Sequence, residues 1–454
     1  MQIASAESLI DALRASGLFA PAAVDRLARE LAPFGTDTQA ALRHLVDHDR
    51  VPVYQLRKII HGKTAELFVG PFVVLDKLGE GGMGKVFKAR DLRSGRVAAV
   101  KVVRPHLLAN PVVRGRYERE VKAALALRHP NIAAAFEAGE VGGKVYLALE
   151  FVDGIDLARL VKTFGVLPVS EACEYLRQTA LGLAHAHAHG FVHRDIKPGN
   201  IVVAGERHHP GATEPAVVKL LDMGLVRTVG LEEDGPGGTD LTRAGTVLGT
   251  PDYMAPEQAK NSSLADHRAD LYSLGGAFYF LLTGKPPFPA GSPIEKILKH
   301  QHDPPPPLQA VRPDVPDRLA RLVARLLAKK PGDRFASAEE VAAALEPLAQ
   351  FTAESSAVRL AIPGGVSGPE GVDTAGLSSS KTVPPSSHGE GIVLPRSGVS
   401  APAPAGSPTP PTPVVIELPP APTPSDGWKV WVIAAVSAAA GVAFGILAWA
   451  ALLR

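Results

Sequence analysis

Residues 72–103, "FVVLDKLGEGGMGKVFKARDLRSGRVAAVKVV", constrain the fold more than any other stretch. β-Branched residues recur between turn formers, a pattern that predicts several short strands joined by hairpins. The following "RGRYEREVKAALAL" reads as a helix. From about residue 155 to 349 the apolar pattern is mostly helical, broken by loops rich in Gly, Pro and His. Strands first and helices after predict an α+β domain over 71–349, with a small β-rich lobe and a large helical one.

The flanks differ in kind. Residues 1–70 predict a small helical domain: Val24, Leu27, Leu31 and Phe34 fall at helical spacing after Pro21. Thr36 with Gln39 offers a capping box, and "VPVYQLRKII" a further helix. Nothing catalytic stands out there, and a docking or packing role is expected. Residues 350–427 are rich in Pro, Ser, Gly and Thr without periodicity, so they predict a disordered linker, with a coil span on the order of 50 Å. Residues 428–454 contain "VWVIAAVSAAAGVAFGILAWAALL", an uncharged run long enough to cross a bilayer, with Trp428, Trp431 and Trp449 near its ends. The plain alternative is a buried Ala-rich helix. A cleaved secretory signal is not expected, because the N-terminus has acidic residues and no basic region followed by a long apolar run.

Bulk numbers narrow the function. A net charge of +2 gives no electrostatic case for nucleic acid as a partner. The single cysteine, Cys173, excludes an internal disulfide framework and a Cys-rich metal site. A reducing, cytosolic setting fits.

Within 71–349, chemistry concentrates in four places. In "LGEGGMGKV", Gly79, Gly81 and Gly84 give the G-x-G-x-x-G spacing with Val86 beyond, and such glycines let backbone amides approach phosphates. A dinucleotide fingerprint needs a helix next. "KVFKAR" continues as a β-like run instead, which favours a glycine-rich hairpin over a nucleotide. Lys101 stands alone in the apolar "VAAVKVV" and needs a partner, unless it snorkels to the surface. Glu120 on the following helix is the candidate. In "VHRDIKPGN", Asp195 can accept a hydroxyl proton, Lys197 can neutralise a transferring phosphoryl group, and the Asn200 carbonyl can bind magnesium. His185, His187 and His189 just before it suggest zinc. Their i, i+2, i+4 spacing takes the middle one off the shared face, so they read as helix-surface residues. Finally, "KLLDMGLV" sets Asp222 after an apolar run, where a metal, a basic side chain or a capped turn would each relieve the carboxylate.

With these parts in this order, the chain resembles the bacterial eukaryotic-like serine/threonine protein kinase family. "GEGGMG", "AAVK", "HRDIKPGN", "DMG" and "APE" match its glycine-rich loop, strand lysine, catalytic loop, Asp-x-Gly and Ala-Pro-Glu motifs. The resemblance implies the bilobal kinase fold, ATP and Mg2+ as cofactors, and Ser/Thr residues of proteins as acceptors. It implies that Gly79, Glu80, Gly81, Gly82, Met83, Gly84 and Lys85 cover the phosphates, and that Lys101 contacts them while paired with Glu120. Leu78, Val86 and Ala99 would line the adenine pocket from above, with Val202 as floor. "LALEFVDG" looks like the hinge, with Leu149 at the gatekeeper position and the backbone of Glu150 and Val152 facing adenine. Asp195 becomes the proton acceptor, Lys197 its phosphate-binding neighbour, and Asn200 and Asp222 the magnesium ligands. Glu257 is expected to pair with Arg334, and Asp270 to anchor the catalytic-loop backbone. Lys197, together with Thr250 in "GTPDYMAPE", favours Ser/Thr over Tyr acceptors.

Two departures stand out. Met223 replaces the usual Phe, and reads as a packing variation that leaves the metal-binding carboxylate intact. The insert "AGERHHPGATEPAV" is longer than usual, and its His208 and His209 read as a solvated hairpin tip. An external sensor beyond the membrane helix is not expected. Arg194 precedes Asp195 and is expected to pair with phosphate on the activation segment, where Thr242 and Thr246, then Thr239, are the candidate sites of autophosphorylation. The sequence reading puts the kinase domain in the cytosol, anchored to the inner (cytoplasmic) membrane by the C-terminal helix. Gly441 and Gly445 offer a G-x-x-x-G face for a homodimer. The competing readings are a pseudokinase scaffold that binds nucleotide without transfer, and a small-molecule kinase on the same fold. The complete set of Lys101, Asp195, Asn200 and Asp222 opposes the first; "GTPDYMAPE" opposes the second.

Overall fold

A computed structural model describes residues 3–82, 84–205, 216–222, 251–261 and 265–349. They form two compact units, one up to Thr64 and one from Ala65.

The first unit is helical. Helices α1 (Ala6–Ala15), α2 (Pro21–Leu31), α3 (Thr38–Asp47) and α4 (Val53–Ile60) gather Leu9, Leu13, Val24, Leu27, Leu31, Leu45, Leu56 and Ile59 into one core. Pro21 opens α2 at the position where its missing N–H costs nothing. Phe34 lies in a short 3-10 turn and is only half-buried. The α3 cap differs from the expected Thr36–Gln39 box: Asp37 is the cap, and its Oδ1 accepts the Ala40 N–H at 2.9 Å. A carboxylate beside the first free amides of a helix competes well with a hydroxyl one residue earlier. Helix α1 has a capping box of its own, between Ser5 and Ser8.

The second unit opens with an antiparallel sheet in the order β1-β2-β3-β4-β6-β5. Its strands are β1 (Phe68–Val69), β2 (Phe72–Gly81), β3 (Gly84–Asp91), β4 (Val97–Val103), β5 (Ala135–Val141) and β6 (Lys144–Glu150). Helix α5 (Pro111–Ala124) follows β4, begins at an Asn110 cap, and buries Val113, Tyr117, Val121 and Ala124. The glycine-rich stretch is the β2–β3 hairpin, with Gly81 opposite Gly84 and Glu80 opposite Lys85. No helix opens after it.

The remainder is mainly helical around a small sheet, β7 (Gly154–Asp156), β8 (Ile201–Ala204) and β9 (Val217–Leu220). Helix α6 (Leu157–Phe164) leads to α7 (Val169–Ala188), α8 (Pro256–Lys260) and α9 (Arg268–Thr283). Helices α10 (Pro293–His302), α11 (Leu308–Val311), α12 (Asp317–Leu326) and α13 (Ala338–Leu345) complete it. Helix α9 is buried nearly all round, from Ala269 to Leu282, so it forms the axis of this lobe and carries Asp270 into a fully dry position. The small sheet is joined to the larger one where Ile132 bridges Leu220 and the Ala133 N–H donates to the Leu220 carbonyl at 2.9 Å.

Candidate active site

The site lies where the two sheets of the second unit meet. Strand alternation puts Ala99 and Lys101 on one face of β4, with Val86 opposite Lys101 and Leu149 opposite Ala99. Val86 and Ala99 are half-buried, and Val202 on β8 is buried. Leu78 falls in a register shift between Lys77 and Gly79, and its side chain is 49% exposed. A bulge of this kind re-aims one side chain out of the strand pattern. Leu149 and Asp222 share the wall of a small apolar slot with Ala124, Leu127 and Ile132.

The glycines of the hairpin do different jobs. A Cβ at Gly84, where φ is 155°, would stand 2.0 Å from the Val102 carbonyl oxygen, so the sheet itself requires glycine there. A Cβ at Gly79 or Gly81 would meet nothing within 4 Å. Packing does not explain those two, whereas close approach of a phosphate to the backbone does. The Glu80 side chain bonds Lys77 at 2.6 Å and lies 3.4 Å from Arg104, which also donates to the Gly81 carbonyl at 3.1 Å.

Asp195, Lys197 and Asn200 converge as the sequence predicted. Lys197 Nζ is 2.9 Å from Asp195 Oδ2. The Asn200 amide nitrogen donates to the Asp195 carbonyl at 2.8 Å and to Oδ2 at 3.1 Å, which leaves the Asn200 carbonyl oxygen to face a cation. The Asn200 main-chain carbonyl accepts the Leu221 N–H at 2.8 Å, one residue before Asp222. These oxygen donors suit a hard divalent ion such as magnesium.

Asp270 anchors the loop from below. Its carboxylate accepts the N–H groups of His193 at 2.8 Å and Arg194 at 2.7 Å, and His187 Nε2 lies 2.9 Å away. Burial pushes the Asp270 carboxyl up, and bonds from His187 and His193 more than reverse this, holding it below the usual carboxylate range. Arg194 adopts a left-handed backbone (φ 61°) in consequence. The Arg194 carbonyl accepts from Gln258 on α8 at 3.1 Å. His193 is fully buried, and its Nε2 meets the Leu221 carbonyl at 2.9 Å, tying the catalytic loop to the end of β9. The sequence reading missed these roles of His187, His193 and Gln258; the signal available was the odd register of His187 within its His triplet. His185 and His189 do lie side by side, with tilted rings 4.4 Å apart, while His187 turns to Asp270.

Lys101 is 6% exposed on β4, and its ammonium meets the carboxylate of Asp222. Glu120 is half-buried on α5. Asp222 turns out of β9 with φ 55° and lies across the cleft from β4, so a buried ammonium faces a carboxylate that is open to the cleft on one side, and the two attract. Burial pushes the Asp222 carboxyl up; Lys101, then His193 and Lys197, pull it below its ordinary value. Lys101 supplies one of the three ways to relieve this carboxylate, a basic side chain.

Glu257 and Arg334 meet as predicted, in a bidentate pair at 2.6 and 2.8 Å. Arg334 also donates to the carbonyls of Ala328, Arg268 and Lys329, and its guanidinium lies 4.9 Å from the Tyr272 ring. Glu150 ends β6 and Val152 follows it, both at half-buried positions. Met83, Thr239, Thr242, Thr246, Thr250, Met223, the His208–His209 insert, the linker and the C-terminal span lie outside the described residues. Among the described residues no helix is long and apolar enough to cross a membrane.

Residues 72–344, more than half of the chain, match the family model of the protein kinase domain. The chain belongs to the protein kinase domain family. Its kinase domain is similar to curated bacterial relatives. Serine/threonine-protein kinase pkn3 of Myxococcus xanthus is 42% identical over 59% of this chain and 48% of its own length. PknB of Mycolicibacterium smegmatis is 37% identical over 59% and 41%. PknD of Mycobacterium tuberculosis is 38% identical over 61% and 39%. The matched region thus spans about half or less of these relatives. The solved kinase domain of M. tuberculosis PknI overlays 62% of this chain and 97% of its own, with a TM-score of 0.48 and 29% identity.

Proposed function

We propose that this kinase domain transfers the γ-phosphoryl group of ATP to Ser/Thr hydroxyls of proteins. One observation carries the reading: Asp195, Lys197 and Asn200 form a bonded cluster, and Lys101 and Asp222 meet beside it at the end of β9. Asp195 accepts the acceptor hydroxyl's proton and aligns its oxygen for attack, as the bond from phosphorus to the β–γ bridging oxygen breaks. Lys197 holds Asp195 and faces the phosphoryl charge, so that less charge is left uncompensated in the transition state. Lys101 is the cation on β4 for the α- and β-phosphates, beneath the amides of the Gly79–Gly84 hairpin. Asn200 and Asp222 would hold magnesium, which, when bound, neutralises charge on the phosphate oxygens. Asp270 acts on none of these atoms; it fixes the loop that carries Asp195. The family names of the relatives support Ser/Thr as acceptor, as does Lys197 in the catalytic loop.

The test is transfer of radiolabel from ATP to the protein itself and to a generic protein acceptor, wild type against Asp195→Asn. Loss of incorporation in the variant is expected. Equal incorporation sinks the mechanism, and no incorporation by wild type leaves the scaffold reading in its place.

The reading extends, on sequence alone, to a kinase domain held at the inner membrane by residues 428–454 and paired through Gly441 and Gly445. Membrane fractionation of the full chain, and self-association after Gly441→Leu with Gly445→Leu, test the two parts.

A further inference from the structure

Glu150 ends β6 as the first residue of the hinge, and three contacts hold it. Its N–H donates to the Ala134 carbonyl at 2.8 Å, and its Oε2 accepts the Ala134 N–H at 3.2 Å. The third contact comes from the other sheet: Lys219 Nζ lies 3.0 Å from both Oε1 and Oε2 of Glu150. Lys219 is on β9, three residues before Asp222. It is the register partner of Val202, so the two share one face of the small sheet. Lys219 therefore lies beside the floor of the adenine pocket and reaches up to its hinge. Both side chains are largely shielded, with 17% and 26% of their surface exposed. The next hinge residue, Phe151, carries Lys88 of β3 over its ring at 4.4 Å.

We infer that Lys219 is a positioning residue for nucleotide binding. It makes no contact with substrate; it fixes the Glu150 carboxylate and so sets the backbone of 150–152 for adenine. The physical case is geometric. Residues 151–153 have no regular structure, and at their far end the Asp153 carbonyl accepts the Gly205 N–H at 2.8 Å. At the near end their path is set at Glu150, which is paired with Ala98 in the larger sheet, bonded to Ala134, and tied to the smaller sheet through Lys219. Without the ammonium, a half-buried carboxylate keeps only one N–H and gains by turning to water. The hinge backbone then has more freedom to lose when a nucleotide binds, which weakens binding without touching the transfer atoms.

The inference rests on the ATP-transfer reading above, and the experiment separates the two. ATP affinity by calorimetry and steady-state kinetics are measured for wild type, Lys219→Met, Lys219→Arg and Glu150→Gln. Lys219→Met keeps the stem and removes the charge. It should raise Kd and KM for ATP about five- to tenfold, with kcat within about twofold. Lys219→Arg should restore most of the affinity. Glu150→Gln should weaken binding to the same degree, and the double variant Lys219→Met with Glu150→Gln should be no worse than either alone. Unchanged ATP affinity in Lys219→Met, or a fall in kcat with KM unaltered, overturns the inference. So does a lower melting temperature as the sole effect, which makes the pair structural only. If wild type binds no ATP, the function reading fails first, and Lys219 loses its proposed role with it.

Discussion

Two ion pairs in the kinase domain look alike in the sequence and differ in kind. Arg334–Glu257 is bidentate, and Arg334 carries further bonds to three carbonyls with no side-chain exposure. Every donor is used, which is the condition under which a buried pair is held rigidly. Lys101–Asp222 is one contact between a buried ammonium and a carboxylate that is 40% exposed at the cleft. Asp222 keeps free oxygen capacity and a left-handed backbone. The first pair is fully enclosed, and the second leaves carboxylate oxygen open to the cleft.

The comparison can be broken by mutation. The largest effect is expected for Asp222→Ala, which should lower transfer by about three orders of magnitude. Its stability should fall by about 1–3 kcal/mol, since Lys101 stays buried without its counter-charge while the cleft is open on the Asp222 side. A phosphotransfer assay beside a denaturant melt checks both. Arg334→Ala should show the reverse weighting: a loss of about 3–5 kcal/mol of stability from the uncompensated Glu257 and orphaned carbonyls. If its melting curve matches wild type, the framework role assigned to Arg334 is wrong.

A pH series sharpens the contrast further. His300 on α10 is fully buried, bonded to the Tyr272 hydroxyl at 2.8 Å and to the Asp252 carbonyl at 2.9 Å. Burial, then the nearby Lys329 charge, pushes its pKa down to about 4. The folded value lies below the unfolded 6.5, so the unfolded chain binds more protons between them. Stability should be full above about pH 6.5 and fall by up to ~3 kcal/mol as pH drops toward 4. Melting midpoints across that range should drop less for His300→Gln. An unchanged slope would mean that His300 does not titrate as placed.

The glycines offer the smallest and cleanest pair. Gly84→Ala should cost about 1–3 kcal/mol, because its Cβ collides with the Val102 carbonyl. Gly79→Ala should leave stability within about 0.5 kcal/mol while raising KM for ATP. Equal losses of stability in both would erase the distinction between a glycine kept for the sheet and one kept for a ligand.

Much of this was legible beforehand, for reasons that can be named. The hairpin was readable because "KVFKAR" continues a strand pattern after the glycines, and β3 begins at Gly84. Arg334–Glu257 and the Asp270 anchor were readable only through resemblance, since 77 residues separate the first pair. The cap of α3 was misread by one residue, as Thr36 and Asp37 both carry capping side chains. The meeting of Lys101 with Asp222 was not readable, because any nearby carboxylate satisfies a lone ammonium, and sequence ranks candidates by motif, not by distance. Lys219 was invisible, since a lysine within a short strand has no pattern to mark it.

What the sequence determined by itself is the order of strands and helices, the hairpin, and the cluster Asp195–Lys197–Asn200. Their contacts are local: periodicity, turn chemistry and a six-residue span suffice to specify them. What tertiary structure decided is which charges meet across the cleft, Lys101 with Asp222 and Lys219 with Glu150, and how His187 and His193 brace the loop. Those pairings join β4 to the end of β9, β9 to the end of β6, and α7 to α9. Their energies depend on distance and burial, quantities that exist only once the two sheets and the central helix have packed.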